Sequence, residues 1–567
     1  MPVTADSAIE RRARSLQSGV GSGADLDAST LAQLKDELSK LRALFRSDPA
    51  AFSSDTLAIL KEAADLLKRV RVDGASLEGA LYDTFGYRTF RPGQREIIEA
   101  VLRGRDCVGV MPTGAGKSLT FQLPARLLPG TTLVISPLIA LMKDQVDALG
   151  ELGVRATFLN STLSAQQRQE RVARLRRGEY ELVYAAPEGL EASVTRDVQG
   201  LAIPLVVVDE AHCISQWGHD FRPAYRNLRA ARRMFPRATL LALTASATAE
   251  VMQDIIEQLA MQEPRVVRGS FLRKNLSLYV YRKGEGGVKS TREAILRFVQ
   301  QRKGQSGIIY CLSRKGTEQL TEYLNDHGCS ASAYHAGMTN EARTRVQEAF
   351  KNDDIDVVAA TIAFGMGIDK SNVRYVIHRD MPRSMEGYYQ EIGRAGRDGL
   401  PSDCLLFYSW AEVKAYDGFA EESVDLEVAE RAREQARRMF HFAGERACRH
   451  QALVGHFGET VEPCATACDV CSGQSVLLPT KQIRKRAAAP PMQADDGDER
   501  LLERLKRVRR KLAEERKVPA YVIFSDATLL ELVRVRPQTL NDMIQVSGVG
   551  PTKLERYGRH FLQEIRR

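Results

Sequence analysis

The chain has 567 residues, which is too long for a single hydrophobic core and indicates about three to five domains. Its 81 Lys and Arg residues against 72 Asp and Glu residues give a net charge of +9, which permits a polyanionic partner without requiring one. No apolar run reaches the roughly 18 residues that a membrane-spanning helix needs, and the first residues include no apolar segment. We therefore expect a cytoplasmic protein with no membrane partner.

Residues 1–75 are assigned to an N-terminal extension. Leucines recur at helical spacing over residues 30–45 and again over residues 54–70, after a lead that contains Gly and Ser. Each helix would therefore present one apolar stripe. The two helices form either a hairpin packed on the body of the protein or an arm that binds a partner, and they carry no catalytic motif.

Three residues in the next segment are candidates for reading a nucleotide base. Tyr87, Arg91 and Gln94 supply a stacking ring, a cation and an amide that can form two hydrogen bonds. Their position just upstream of a phosphate-binding loop favours adenine, and therefore ATP. A polar helix start without ligand contacts is the alternative.

A phosphate-binding loop is predicted where the short apolar strand at residues 107–111 meets a glycine-rich turn and then a helical stretch. Backbone amides at Gly114 and Gly116 would face an oligophosphate at the positive end of the helix, and Lys117 would reach the outer phosphates. The strict pattern requires glycine where this chain has Met111, so an ordinary tight turn is the alternative. The predicted loop residues are Thr113, Gly114, Gly116, Lys117 and Ser118, the last as a ligand of Mg²⁺.

Two carboxylates end one of the strands that follow. Strand-like runs alternate with helical ones here, which is typical of a parallel sheet with ligands at the carboxyl ends of its strands. After the strand at residues 107–111, the runs are at residues 132–138, 155–160, 181–187, 204–210 and 239–245. The apolar run at residues 204–208 ends in Asp209 and Glu210. Asp209 could hold Mg²⁺ through water and Glu210 could deprotonate the attacking water, while His212 would link them to neighbouring elements. An acidic strand end without a catalytic role is the alternative.

An aromatic stretch at residues 213–225 follows the carboxylates. Trp217, Phe221 and Arg222 lie there among polar neighbours, and together they offer stacking faces and a cation to unpaired bases. Core packing is the alternative. The small hydroxyl residues at 243–248 then suit an element that moves between nucleotide states.

A second alternating block runs from about residue 276 to residue 410 and has no phosphate loop of its own. Its six strand-like runs are at residues 276–283, 306–313, 330–336, 356–361, 373–380 and 404–409. Gln390, Arg394 and Arg397 are spaced so that a helix would place them on one face. The two arginines could then reach a γ-phosphate as arginine fingers. A solvated charged helix face is the alternative.

Nine cysteines are present, of which five are scattered and are interpreted as reduced thiols. The other four follow a basic helix predicted at residues 431–442. A closed tetrahedral site for structural Zn²⁺ accounts for such a group, with redox-active or free thiols as the alternative. The predicted zinc ligands are Cys448, Cys464, Cys468 and Cys471.

The end of the chain divides into a linker and a helical block. Residues 476–498 are rich in Pro, Ala and charged residues, which is typical of a linker. Residues 499–567 are mainly helical with a basic first helix, and their Ser547–Gly550 turn could place backbone amides on a DNA phosphate. An ordinary turn between helices is the alternative.

The motifs FGYRTFRPGQ, MPTGAGKS, DEAH, CISQWGHDFRP, AFGMGIDK and QEIGRAGRDG, in this order, resemble those of a superfamily 2 helicase of the RecQ family over residues 81–471. The DEAH motif followed by CISQWGHDFRP is the most specific part. The chain departs from the family where three residues, not two, separate Cys464 and Cys468, and where residues 472–498 leave no room for a winged-helix module. The final block resembles an HRDC domain.

The resemblance implies an α/β fold with two tandem RecA-like parallel-sheet lobes, a small zinc-binding helical subdomain and an all-α HRDC-like bundle. ATP would lie between the lobes and single-stranded DNA would cross their top. The expected boundaries are 1–75 for the extension, 76–275 and 276–412 for the lobes, 413–475 for the zinc-binding subdomain, 476–498 for the linker and 499–567 for the HRDC-like domain.

The function that follows is an ATP-dependent DNA helicase that uses Mg²⁺ and structural Zn²⁺. The resemblance further implies 3′ to 5′ movement on single-stranded, tailed or branched DNA in recombination and repair, with a single-strand-binding protein or recombination proteins as candidate partners. Other readings are a DEAH-type RNA helicase or remodeller, an ATP-switched DNA-binding or strand-annealing scaffold without unwinding activity, and a metabolic or transport NTPase.

Overall fold

The computed structural model describes residues 5–21, 74–137, 139–189, 194–215, 228–285, 290–364, 370–421, 425–477, 496–516 and 518–567, together with Tyr225 and part of residues 34–63. None of the helices in these ranges combines the length and apolar character needed to cross a membrane.

Seven parallel strands form the sheet of the first lobe, in the order β3-β4-β2-β5-β6-β1-β7. The inner strands are continuous apolar runs because helices cover both faces of the sheet. Six strands match the prediction; the edge strand β7 does not, since only its Val267 is buried. The strands are β1 (Cys107–Val110), β2 (Thr132–Ile135), β3 (Ala156–Leu159), β4 (Leu182–Ala185), β5 (Leu205–Val208), β6 (Thr239–Thr244) and β7 (Arg265–Arg268).

Helices pack on this sheet and connect its strands. Where the end of a strand leads into a helix, a short side chain often caps it, as Ser164 does by accepting a hydrogen bond from the amide of Gln167. The helices of the first lobe are Gly74–Phe85, Gln94–Leu102, Leu119–Leu127, Ile139–Glu151, Ala165–Arg176, Pro187–Gly189, Thr195–Val198, Arg229–Met234 and Ala249–Gln258, with a 3₁₀ turn at Ala211–Ile214.

Six parallel strands form the second sheet, in the order β10-β11-β9-β12-β13-β8, and all six were predicted from the sequence. They are β8 (Leu276–Arg282), β9 (Ser306–Tyr310), β10 (Ala331–Tyr334), β11 (Val357–Ala360), β12 (Val373–His378) and β13 (Ser402–Tyr408). The helices of this lobe are Thr291–Gln301, Arg314–Asp326, Asn340–Lys351 and Met385–Ile392, with a 3₁₀ turn at Ile362–Phe364.

The helix at Met385–Ile392 corrects one prediction. Gln390 lies on it, but the helix ends before Arg394 and Arg397, which lie in the turns that follow. The reason is the glycine spacing, because Gly396 and Gly399 have φ of 56° and 86°, which a right-handed helix does not allow. The two arginines are therefore presented by a loop and not by one helix face; this loop, residues 393–398, is the arginine turn.

Two helical modules follow the second lobe. The zinc-binding subdomain contains the predicted basic helix within Leu426–Gly444, and the HRDC-like bundle has its own buried core around Phe524 and Phe561. The helices are Trp410–Glu421, Leu426–Gly444, Arg449–His456 and Asp469–Ser472 in the first module, and Asp496–Arg516, Ala520–Ile523, Asp526–Val535, Leu540–Met543 and Pro551–Arg566 in the second.

The N-terminal extension has a helix that was not predicted, Ala5–Gly21. Its apolar stripe includes Ile9 and Leu16, which pack with Leu41 and Leu60 from the two predicted leucine-rich segments. These segments are helical where the structure describes them. Within the described residues the extension therefore has a small core of its own.

The HRDC-like bundle lies directly against the first lobe. Arg88 donates a hydrogen bond to Gln545 at 2.6 Å, and Glu151 accepts hydrogen bonds from Arg556 at 2.9 Å and from the Tyr557 hydroxyl at 2.5 Å. The two backbones also touch at Gly86 and Gly550, where a Cβ added to Gly550 would lie 2.7 Å from the Cα atom of Gly86.

Candidate nucleotide site and zinc site

The phosphate loop has the backbone that its sequence predicts. Gly114 and Gly116 have φ of 82° and 81°, the left-handed region that favours glycine. Space is also limiting, since a Cβ on Gly116 would lie 2.5 Å from Nε2 of Gln94. Lys117 donates to the carbonyl oxygen of Met111 at 3.3 Å, across the base of the loop. The helix Leu119–Leu127 starts directly behind it, so its N-terminal amides face the loop.

Arg91 and Gln94 hold this loop in place. Gln94 is 4% exposed, accepts a hydrogen bond from the Arg91 amide at 2.8 Å, and donates to the carbonyl oxygens of Ala115 and Gly116 at 3.1 and 3.0 Å. The Arg91 guanidinium donates to the carbonyl of Gly114. Tyr87 is 46% exposed at the mouth of the cleft. Contact between these three residues and adenine stays a prediction.

The carboxylates Asp209 and Glu210 lie at the carboxyl end of β5, as predicted. Burial and the neighbouring Glu210 raise the pKa of Asp209 to about 7, although Lys117 opposes the shift. Glu210 has φ of 49°, a strained conformation for a residue with a side chain, of the kind found at functional sites. Its buried Oε2 atom accepts no hydrogen bond within the described residues.

This pair of carboxylates fits a divalent cation. Two carboxylates that crowd each other beside a single lysine repel, and a hard cation with oxygen ligands relieves the repulsion. Ser118 lines the same cleft as Asp209 and offers a hydroxyl oxygen. The donor set of Ser118 and Asp209 is therefore the one expected for Mg²⁺.

A cleft of about 720 Å³ brings the predicted nucleotide residues of both lobes together. Its size is that of a site for a small ligand or cofactor. It is lined from the first lobe by Tyr87, Arg91, Gln94, Thr113, Gly114, Gly116, Lys117, Ser118, Asp209 and Glu210, and from the second lobe by Gln390, Arg394 and Arg397.

A chain of contacts connects Glu210 to the second lobe. His212, 3% exposed, lies with Nδ1 3.4 Å from Oε2 of Glu210 and 3.0 Å from the Thr244 hydroxyl. Thr244 bonds the backbone of Ser246, whose hydroxyl accepts a hydrogen bond from Gln390 at 3.2 Å. His212, Thr244 and Ser246 thus lie in a continuous row of contacts between Glu210 and Gln390, while the linking role of His212 and the movement of residues 243–248 stay predictions.

The predicted DNA-contacting residues Trp217, Phe221 and Arg222 lie outside the described residues. Both ends of their stretch are described, with Ser215 and Tyr225 fully buried. The Tyr225 hydroxyl donates to the backbone carbonyl of Asp209 at 3.0 Å. The aromatic stretch thus begins and ends beside the carboxylates of the cleft.

The four predicted zinc ligands converge. The sulfur atoms of Cys448, Cys464, Cys468 and Cys471 all lie within 4.8 Å of one another. Burial opposes ionisation of Cys448, but hydrogen bonds from the backbone amides of Gln451 and Cys464 lower its pKa to about 7. Burial and the neighbouring thiols raise the pKa of Cys471 to about 11, so a cation is needed for all four to be thiolates together. A tetrahedral Zn²⁺ site made of thiolates fits this group.

The extra residue between Cys464 and Cys468 is accommodated by backbone conformation. Ala465 has φ of 58°, and the amide of Thr466 donates to the carbonyl of Cys464 at 2.7 Å. The resulting tight turn brings Cys468 back to the other sulfur atoms despite the longer spacing. The departure from the family spacing therefore leaves the ligand group intact.

Four family models match the chain in order. They are DEAD/DEAH box helicase over residues 91–255, helicase conserved C-terminal domain over 290–399, RecQ zinc-binding over 411–472 and HRDC domain over 498–565. The ATP-dependent DNA helicase RecQ of Pasteurella multocida is 35% identical, with alignment over 91% of this chain and 97% of that protein. The chain belongs to the RecQ helicase family.

Other RecQ relatives extend this result. The ATP-dependent DNA helicase RecQ of Bacillus subtilis is 36% identical over 85% of this chain and 97% of that protein. The RecQ-like DNA helicase blm-1 of Caenorhabditis elegans is 40% identical over 71% of this chain and 42% of that protein. Among solved structures, the DUF1998 helicase MrfA bound to DNA has a TM-score of 0.51 at 19% identity over 62% of this chain and 53% of that one, which shows a shared fold.

Three contributors to the RecQ cleft were not predicted. Arg273 connects the phosphate loop to the arginine turn, Tyr225 fixes the backbone of Asp209, and the HRDC-like bundle lines the cleft with Tyr521, Ser525 and Ser547. The Ser547–Gly550 turn lies against Gly86 through Val549 and Gly550, and its contact with a DNA phosphate stays a prediction. The glycines of the RecQ motifs, such as Gly86, are a signal for close backbone contacts. No sequence pattern, however, identifies the residue that each glycine contacts.

Proposed function

We propose that this RecQ-family member is an ATP-dependent DNA helicase that moves 3′ to 5′ along single-stranded DNA and separates duplex DNA in recombination and repair. The observation that carries the proposal is the cleft between the lobes. It unites a phosphate loop and two carboxylates from one lobe with two arginines from the other. Such a site is complete only when the lobes come together, so hydrolysis can be tied to their relative movement.

Each side chain has a defined task in this proposal. Lys117 and the loop amides bind the phosphates, and Glu210 orients and deprotonates the attacking water. Mg²⁺, held through Ser118 and Asp209, would neutralise charge on the β- and γ-phosphates. Arg394 and Arg397 stabilise the charge that develops on the transferred phosphoryl group. Gln390 donates a hydrogen bond to Ser246 and so transmits structural changes in the cleft to the second lobe.

DNA is proposed to bind the first lobe through the aromatic stretch at residues 213–225. Trp217 and Phe221 would stack on unpaired bases and Arg222 would pair with phosphate. The hydrogen bond from Tyr225 to the Asp209 carbonyl supports a direct influence of DNA on the carboxylates. A single-strand-binding protein or recombination proteins are the proposed protein partners, and zinc is the proposed metal of the four cysteines. The domain boundaries expected from the sequence are proposed as the limits of the extension, the two lobes, the zinc-binding subdomain, the linker and the HRDC-like domain.

A strand-displacement assay tests the proposal with 3′-tailed and 5′-tailed duplexes. We expect ATP-dependent displacement of the 3′-tailed duplex alone. Lys117→Ala should reduce both hydrolysis and displacement by about 100-fold or more, since electrostatic stabilisation of the phosphates is lost. Trp217→Ala should retain ATP hydrolysis but lose displacement.

The other tryptophan provides the control. Trp410 is 47% exposed and packs edge to face on Phe440 at 4.9 Å, so Trp410→Ala removes a comparable ring elsewhere and should leave displacement unchanged. DNA-stimulated hydrolysis without displacement of either duplex would contradict autonomous helicase activity. Equal loss of displacement in both tryptophan variants would contradict the assignment of Trp217.

A further inference from the structure

The segment that joins the two lobes passes behind the phosphate loop. β7 belongs to the first sheet and β8 to the second, so residues 269–275 carry the chain from one lobe to the other. Arg273, in the middle of this crossing, donates from Nη1 to the carbonyl oxygen of Thr113 at 2.5 Å. A Cβ added to Gly114 would lie 3.3 Å from the same nitrogen atom. Arg273 is thus in contact with the back of the phosphate loop.

The same guanidinium also holds the arginine turn. Its Nη2 atom donates to the carbonyl oxygens of Ala395 and Gly396, both at 2.9 Å, and Nη1 lies 3.4 Å from that of Gly393. Asn275 adds a hydrogen bond to the Gly396 carbonyl at 2.9 Å. These bonds fix the backbone of the turn from which Arg394 and Arg397 enter the cleft.

The guanidinium of Arg273 bonds mainly to backbone carbonyl oxygens. Within the described part of the chain it forms no ion pair, and its hydrogen-bond partners other than Asn275 are backbone carbonyls. Burial and the nearby cations Arg397 and Arg91 lower its pKa. Burying a cation close to other cations raises the free energy of the folded protein. Its fork of donors, however, can bond two separate loops at once, which an ammonium group cannot do with the same geometry.

The zinc-binding subdomain fixes this crossing segment from the other side. Glu459 accepts hydrogen bonds from the Ser270 hydroxyl at 2.5 Å and from the Phe271 amide at 2.6 Å. The Phe271 ring stacks on Phe457 with 4.5 Å between centroids. Arg273 is therefore positioned by a segment that the subdomain holds rigidly.

We propose that Arg273 is a positioning residue that sets the arginine turn at the correct distance from the phosphate loop, and that Glu459 keeps Arg273 in register from the zinc-binding subdomain. The inference rests on the proposed ATP hydrolysis at this cleft. Arg273 does not line the cleft itself. Its effect is to allow Arg394 and Arg397 to stabilise the transferring phosphoryl group while leaving nucleotide binding to the loop.

The test compares binding of a fluorescent ADP analogue with and without aluminium fluoride, a mimic of the transferring phosphoryl group, in the full-length protein. We expect Arg273→Gln to bind ADP alone within about threefold of the unaltered protein, because the loop is intact. The extra affinity conferred by aluminium fluoride should fall about 10-fold or more, together with kcat. Arg273→Lys should recover only part of both, and Glu459→Gln should show a smaller loss of the same kind.

A matched control and a double variant complete the test. Arg268 donates to the carbonyls of Ala247 and Phe457 but lies outside the cleft lining, so Arg268→Gln should preserve the aluminium fluoride effect. Adding Arg273→Gln to Arg397→Ala should cost little further kcat if both act through one turn. Fully additive losses, or an unchanged aluminium fluoride effect in Arg273→Gln, would overturn the proposal. Absence of ATP hydrolysis in the unaltered protein would instead contradict the proposed function.

Discussion

The two modules that follow the second lobe contact the rest of the protein in different ways. The zinc-binding subdomain bonds to backbone and packs ring on ring: the Leu278 amide donates to the Ala467 carbonyl at 3.0 Å, His450 lies 3.1 Å from the Leu276 carbonyl, and Phe457 stacks on Phe271. The HRDC-like bundle contacts the first lobe through polar side chains and the approach of Gly86 to Gly550.

The difference indicates two kinds of attachment. Buried backbone bonds and stacked rings cannot be exchanged for water at low cost, so the zinc-binding subdomain is an integral part of the second lobe. Polar side-chain contacts that are only partly buried are largely balanced by hydration, so we expect the attachment of the HRDC-like bundle to be reversible. The first module should then affect stability and the second should affect access to the cleft.

The largest expected effect is the loss of a zinc ligand. Cys468 is fully buried, and Cys468→Ser should reduce bound zinc from about one ion per chain to near zero and unfold the subdomain, because a structural site of this kind folds on its metal. ATP hydrolysis should fall as well, since the segment that carries Arg273 loses its support. Zinc release measured with a chelating dye, thermal unfolding and ATP turnover check this.

A cysteine outside the cluster is the control for that variant. Cys329 is a partly exposed thiol of the second lobe, and Cys329→Ser should leave zinc content and stability unchanged. Retention of zinc and of the normal unfolding temperature by Cys468→Ser would show that the four sulfur atoms do not hold a metal.

An intermediate effect is expected where the two glycines meet. Gly550 has φ of −90°, which any residue can adopt, so Gly550→Ala adds a methyl group to the interface without straining the bundle. The clash with Gly86 should weaken docking by about 1–3 kcal/mol. Small-angle X-ray scattering should then give a larger radius of gyration, with no change in the helical content measured by circular dichroism.

A glycine close to the same interface provides the comparison. Gly150 precedes Glu151, and a Cβ there would meet nothing within 4 Å, so Gly150→Ala should keep the docked dimensions. Equal radii for the Gly550→Ala variant and the unaltered protein would refute the idea that this contact holds the bundle in place.

The smallest effect concerns the turn between Cys464 and Cys468. Ala465 has φ of 58°, which costs roughly 1–2 kcal/mol for a residue with a Cβ, whereas glycine loses about 0.4–1 kcal/mol more chain entropy on folding. Ala465→Gly should therefore stabilise the subdomain by about 0.5–1 kcal/mol. Chelator titrations should show slightly slower zinc loss, and faster loss would argue that the turn is not strained.

The sequence predicted the parts of the protein whose interactions are local. The runs ending in Asp209 and the loop around Lys117 were recognisable because apolar runs and glycine turns encode strands and loops directly. The helix end before Arg394 is not evident from the spacing of Gln390, Arg394 and Arg397, because that spacing is helical while Gly393 and Gly396 interrupt the helix. The edge strand β7 was missed because one buried valine gives no apolar run.

Contacts between distant parts of the chain could not be predicted from the sequence. Gly86 and Gly550 each resemble an ordinary turn residue, and only the folded protein shows that they touch. Arg273 resembles any other basic residue, since its function depends on two loops that approach it from opposite sides. Such roles arise from the packing of whole domains and leave no periodic signal.

The hydrogen bonds around Thr244 also fix where a proton resides. The hydroxyl of Thr244 has a single hydrogen, which it donates to the Ser246 carbonyl at 3.0 Å, so toward His212 it can act only as an acceptor. The imidazole must then carry hydrogen on Nδ1, the atom that also faces Glu210 at 3.4 Å. The other ring nitrogen lies 3.7 Å from the Cys213 sulfur. The tautomer of His212 beside Glu210, the carboxylate proposed to activate water, is thus set by Thr244, which does not line the cleft.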